Sequence, residues 1–76
     1  MDCVKTYIEY LEKELKDAER AIKLMKDYFK PCEVVNNSCQ RALGALYCLL
    51  QLDSSLSYET MANIYDDFRE KVEKMA

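Results

Sequence analysis

The stretch VKTYIEYLEKELKDAERAIKLMKDYF, residues 4–29, decides the fold. Its apolar positions Val4, Ile8, Leu11, Leu15, Ala18, Ile22, Met25 and Phe29 alternate spacings of four and three without a break. That repeat keeps one line of side chains on one side of an α-helix and suits packing against a second helix at a shallow angle. With Ile8, Leu15, Ile22 and Phe29 at the a positions, Val4, Leu11, Ala18 and Met25 take d, and Tyr7, Ala21 and Tyr28 at g widen the stripe. Glu9 with Lys13, Glu12 with Lys16 and Glu19 with Lys23 place acid before base four residues apart, worth a few tenths of a kcal/mol each. Helix 1 is expected over about residues 3–29, where Lys30-Pro31 disfavours continuation.

Working outward, Pro31 allows three continuations. It can open a second helix at the first helical position, where its missing N–H costs nothing. Asn37 or Ser38 can instead cap a shorter helix after a loop, since Val34-Val35-Asn36-Asn37-Ser38 is a poor helical stretch. The first helix can also bend at Pro31 and run on. A break followed by a hairpin is favoured, with helix 2 over about 32–52 because Cys32, Val35, Cys39, Ala42, Leu46 and Leu49 again space 3-4-3-4-3. Ser57 is the expected N-cap of helix 3, about 58–75, with Leu56 and Met61 as a hydrophobic staple. Tyr58, Met61, Tyr65, Phe68, Val72 and Met75 supply its seam. The expectation is an all-α, antiparallel three-helix bundle with coiled-coil-like heptads, in which part of the long helix 1 overhangs its partners.

Composition agrees. One glycine and one proline in 76 residues are too few for a β fold, which needs a turn every 8–12 residues or about that. Half the chain is hydrophobic and a third charged, which excludes a disordered tail and a membrane-embedded fold, and the size allows one domain. No run approaches the roughly 20 apolar residues of a span, and residues 1–15 have no signal-peptide pattern. Reduced cysteines in a cytoplasmic protein are therefore expected, with Cys3, Cys32, Cys39 and Cys48 acting as small hydrophobes, since their spacing fits no zinc or redox motif.

Histidine is absent, which removes the commonest general base and metal ligand. The carboxylate pairs Glu9/Glu12, Asp67/Glu70 and Glu70/Glu73 have a spacing that can share a metal, as di-metal bundles and helical pyrophosphohydrolases do, but all fall on solvent-facing positions. A carboxylate-metal hydrolase would require Asp67 and Glu70 to turn inward. Ser54, Ser55 and Ser57 read as loop and cap, and there is no Gly-rich phosphate loop. No catalytic residue, cofactor or metal ligand is expected, and no nucleic-acid or membrane partner, because no segment is strongly basic.

Helix 2 carries more apolar surface than two neighbours can cover. Leu43, Ala45, Tyr47, Cys48, Leu50 and Leu52 extend its seam on both sides, and small residues at Ala42, Gly44, Ala45 and Cys48 would admit a close second helix. The expected function is that of a non-enzymatic interaction or regulatory protein, an adaptor or inhibitor, that binds itself as a C2 dimer through helix 2 and another protein through helix faces. The alternative is an oligomer sequestering a nucleotide-like small molecule on Tyr7, Tyr10, Lys26 and Tyr28 at subunit boundaries.

Overall fold

The computed structural model describes residues 2–76 and contains three helices: α1 (Cys3–Leu24), α2 (Pro31–Leu52) and α3 (Tyr58–Glu73). Each starts where its sequence supplies a start signal. Asp2 caps α1, its Oδ1 accepting the Lys5 N–H at 3.1 Å. Pro31 occupies the first turn of α2, where no N–H is required. Ser57 caps α3, its Oγ accepting the Thr60 N–H at 3.3 Å, while Leu56 packs against the core of which fully buried Met61 is part. Among the described residues there is no strand and no positive φ.

The first helix ends at Leu24, not near residue 29. The Met25 carbonyl accepts both the Tyr28 and the Phe29 N–H at 2.9 Å, closing a turn. Lys30 is extended, φ −73° and ψ 143°, as a residue before proline must be. Met25 and Phe29 keep the heptad spacing but lie beyond the end of the helix and stay 41% and 43% exposed. Periodicity without a surface to bury against does not hold a helix. α1 and α2 are both 22 residues, each about 33 Å at 1.5 Å per residue, so the first helix is no longer than the second, and α3, with 16 residues, is the short one. The third helix ends at Glu73, a little short of the expected residue 75.

The inward face of α1 also differs from the a/d seam. It buries Cys3, Tyr7, Leu11, Glu14 and Ala18, whereas Ile8 is 40% exposed and Leu15 and Ile22 are half-buried. A helix set between two others buries an arc rather than a line, and here the arc centres on the d and g positions. The reason is polar as much as apolar: the Tyr7 hydroxyl donates to the Ala42 carbonyl at 2.8 Å, and Glu14 meets Arg41. α2 contributes Val34, Val35, Ser38, Ala42 and Leu46, and α3 contributes Met61, Phe68 and Val72. Tyr58, expected on the α3 seam, is exposed, and so are Cys32 and Cys48, leaving Cys3 buried and Cys39 half-buried as the apolar thiols. All four cysteines are free. The Cα envelope measures 43 × 19 × 15 Å, a short rod.

Burial pushes the Tyr7 phenol well above its ordinary value of 10, with Tyr65 and Tyr10 adding to the shift. The sign is that of a group held protonated by folding: its contribution is complete below about pH 10, the unfolded value, and is lost as pH rises beyond it. Thermal melts are expected to show Tm falling above pH 10. In Tyr7→Phe that alkaline slope should be shallower, while Tm at pH 7 falls by the loss of a hydrogen bond worth about 1 kcal/mol. An unchanged alkaline slope in the variant would show that Tyr7 is not the titrating group.

Candidate functional site

Between residues 31 and 57 the only base is Arg41, and it sits where α2 faces α1. Its Nε lies 3.1 Å from both Glu14 carboxylate oxygens, and one terminal amine lies 3.0 Å from Glu14 Oε2 and 3.3 Å from Ser38 Oγ. Glu14 is 10% exposed in its side chain and Arg41 52%, so the carboxylate is inside and the guanidinium bridges to water. The Glu14 hydrogen bonds raise the Arg41 pKa further. Tyr10, packed alongside, is pushed up chiefly by burial and next by the Glu14 charge. Both carboxylate oxygens are engaged by Arg41, so this cluster has no free base to offer a substrate and acts as a structural clasp. Its signal in the sequence is the g register of α1, where Glu14 is the one charge among Tyr7, Ala21 and Tyr28.

A second polar region lies between the start of α2 and the end of α3, a groove of about 460 Å³ lined by Cys32, Cys39, Tyr65, Arg69 and Glu73 among others. Burial, and after it the Glu73 charge, raises the Cys39 pKa, so the thiolate needed for nucleophilic attack is scarce. Arg69 is closed on Glu73 at 2.8 Å. The groove therefore contains a suppressed nucleophile and a neutralised cation. A narrower apolar groove of about 200 Å³ runs between α1 and α3 along Ile8, Leu11, Leu15, Ile64 and Phe68.

The residues singled out from sequence fall into different environments. Of the α2 set, Tyr47, Cys48 and Leu52 are exposed, Leu52 by 80%, while Leu43, Ala45 and Leu50 are half-buried and the last two pack on the core. Tyr58 of α3 lies beside Tyr47, whose hydroxyl pushes the Tyr58 pKa upward. Residues 42–52 carry no charge at all. Gly44 lies on the exposed side of α2, and a Cβ built there would meet nothing within 4 Å, so nothing inside the chain requires glycine.

Of the ligand set, Tyr7 is fully buried and presents no ring face to a base. Tyr10 is half-buried beside Glu14, and Lys26 and Tyr28 lie in the exposed turn after α1, so these four residues do not converge on one site. The carboxylates Glu9, Glu12, Asp67, Glu70 and Glu73 are all exposed, and the described residues contain no group of three or more potential metal ligands. Glu19 and Lys23 form the expected pair at 2.9 Å. No described helix is long and apolar enough to cross a membrane. Compared with family models, curated proteins and solved structures, the chain matches none.

Two stability measurements follow from this geometry. Arg41→Ala leaves Glu14 enclosed without its partner; discounted for the half-exposed guanidinium, the cost is about 1–2 kcal/mol, or a Tm drop on the order of 5–10 °C. A Tm within a degree of the parent would show the clasp to be energetically idle. Gly44→Ala should act the other way, raising stability by about 0.5–1 kcal/mol in urea unfolding, because a mid-helix glycine is replaced where space is open. A loss of stability there would contradict the open environment of Gly44.

Proposed function

We propose that this is a non-enzymatic helical interaction protein of the adaptor or inhibitor type, and that its working surface is the outer side of α2. The observation that carries this reading is the charge-free stretch 42–52 with Tyr47, Cys48 and Leu52 in solvent, within a chain one-third charged. Interfaces favour tyrosine and exclude charge at their centres. The accessible surface of 5420 Å² adds support, being roughly 600 Å² above the value expected for a compact monomer of 8.9 kDa.

The bundle is read as antiparallel, up-down-up. Cys3 beside Asp53, Tyr7 bonded to Ala42 and Glu14 clasped by Arg41 support that direction for α1 and α2, since the pairing runs backward along α2 as α1 advances. Self-association as a C2 dimer follows from the same surface. Gly44 and Cys48, one turn apart, would let α2 of a second copy approach closely about a two-fold axis.

The test is sedimentation equilibrium at tens to hundreds of micromolar, joined to mild oxidation. A species of twice the 8.9 kDa chain mass is expected, with a disulfide-linked dimer that disappears in Cys48→Ser and persists in Cys32→Ser. A clean 8.9 kDa species throughout would remove the dimer. Failure of Tyr47→Ala and Leu52→Ala to weaken any purified partner complex would remove the α2 surface as the site of action.

A further inference from the structure

The turn joining α1 to α2 leaves four large apolar side chains in solvent within six residues: Leu24 and Tyr28, 73% and 80% exposed, with Met25 and Phe29 between and beside them. Met75 lies near, sharing a recess with Glu19, Ile22 and Lys23, so the end of α3 belongs to the same end of the rod. Residues 16–36 and 69–76, which meet there, carry eight bases against six acids in a chain whose net charge is −3. Close to the apolar tip Arg20, Lys26 and Lys30 form no ion pair among the described residues, whereas Arg69 and Lys71 of α3 and Lys74 at its end are each closed on an acid.

The opposite end has the converse character. The start of α1 and the α2–α3 connection meet there, with Cys3 against Asp53. Residues 2–9 and 47–63 carry four acids, Asp2, Glu9, Asp53 and Glu59, and one base, Lys5. Leu52, Tyr47 and Tyr58 are exposed among them. Each end thus pairs an apolar patch with an excess of one charge sign, and the signs are opposite.

We propose that the occupant of the basic apolar tip is the acidic apolar end of a second copy, so that the chain self-associates head to tail. This rests on the reading that the exposed apolar surface serves interaction; it shares Tyr47 and Leu52 with the α2 surface and adds the α1–α2 turn as their occupant. Opposite excess charge at the two ends steers the encounter and disfavours tip-to-tip contact. The contact is heterologous, so it does not close on itself as a two-fold dimer does and adds copies in a line. A rod 19 × 15 Å in section offers an end face well under the roughly 800 Å² per partner of a standard interface, which places the association in the weak, transient class.

Dilution from millimolar to micromolar, followed by amide chemical shifts and by sedimentation, tests the proposal. Shifts are expected to concentrate in residues 23–30 and 47–58, and the mean mass to rise past a dimer with concentration. Added salt should weaken the association several-fold, because the charges are exposed. Tyr28→Asp and Leu52→Asn, both at exposed positions whose helicity is checked by circular dichroism, should each raise the dissociation constant at least about tenfold. Mixed together, they should recover a one-to-one pair and nothing larger, each supplying the end the other retains. Self-association that survives Tyr28→Asp would belong to the α2 flank and overturn the head-to-tail contact, leaving the α2 reading intact. Concentration-independent shifts, strengthening by salt, or no pair in the mixture would each overturn it as well.

Discussion

One ion pair sets how α2 faces its neighbours. From Ala42 to Leu52 nearly every side of that helix is apolar, so over that half the hydrophobic effect alone would accept several rotations of it about its axis. Arg41, just before that half, is the one base of the helix, and Glu14 on α1 holds it by three contacts of 3.0–3.1 Å. A buried carboxylate is costly unless its partner is in place, so rotations that part the two groups are penalised. Ser38 and Ala42 are thereby turned inward, where the Ala42 carbonyl receives the Tyr7 hydroxyl. Gly44, Tyr47 and Cys48 are turned outward by the same rotation. The surface proposed for interaction is thus the remainder of a face chosen by a polar contact.

How much of this could be read from the residues depended on the length scale of the forces involved. Helix identity, the cap at Ser57 and a break at Pro31 are local matters of capping and proline geometry and were legible, whereas Pro31 as the first residue of α2 was one of three continuations and the Asp2 cap was not read. The end of α1 was not, because Met25 and Phe29 continue a pattern that only a facing helix could reward. Nor was the burial of Tyr7 in place of Ile8, since a hydroxyl needs a particular carbonyl 35 residues away to make its burial affordable. Of the α2 surface, Tyr47, Cys48 and Leu52 lie in solvent while Ala45 and Leu50 found cover inside the chain. Apolar excess on a helix announces that cover is needed, not which neighbour supplies it.

The molecule separates its polar and apolar features along its length. Between the ends lies the clasp of Glu14 and Arg41. The ends hold the exposed aromatic and aliphatic side chains, Tyr28 and Leu24 at one, Leu52 and Tyr58 at the other. Surface salt bridges within α3 add little to stability but engage all three bases of residues 58–76, so positive charge without a partner gathers near the α1–α2 turn. Neither groove combines a reactive thiol or free base with an unpaired cation.

The short connections of residues 25–30 and 53–57 carry a kinetic meaning. Asp53 braces the second of them by accepting both the N–H and the hydroxyl of Ser55, at 3.0 and 2.6 Å. Each helix has its own start signal, and consecutive helices are joined without long loops, so little loop-closure entropy stands in the way of docking. Chains of this kind rely on contacts near in sequence and fold on the microsecond-to-millisecond scale. Such a chain has finished folding long before it meets a partner by diffusion. Whatever it binds therefore encounters a preformed body, and the cost of ordering the backbone is settled within the monomer rather than charged against the complex.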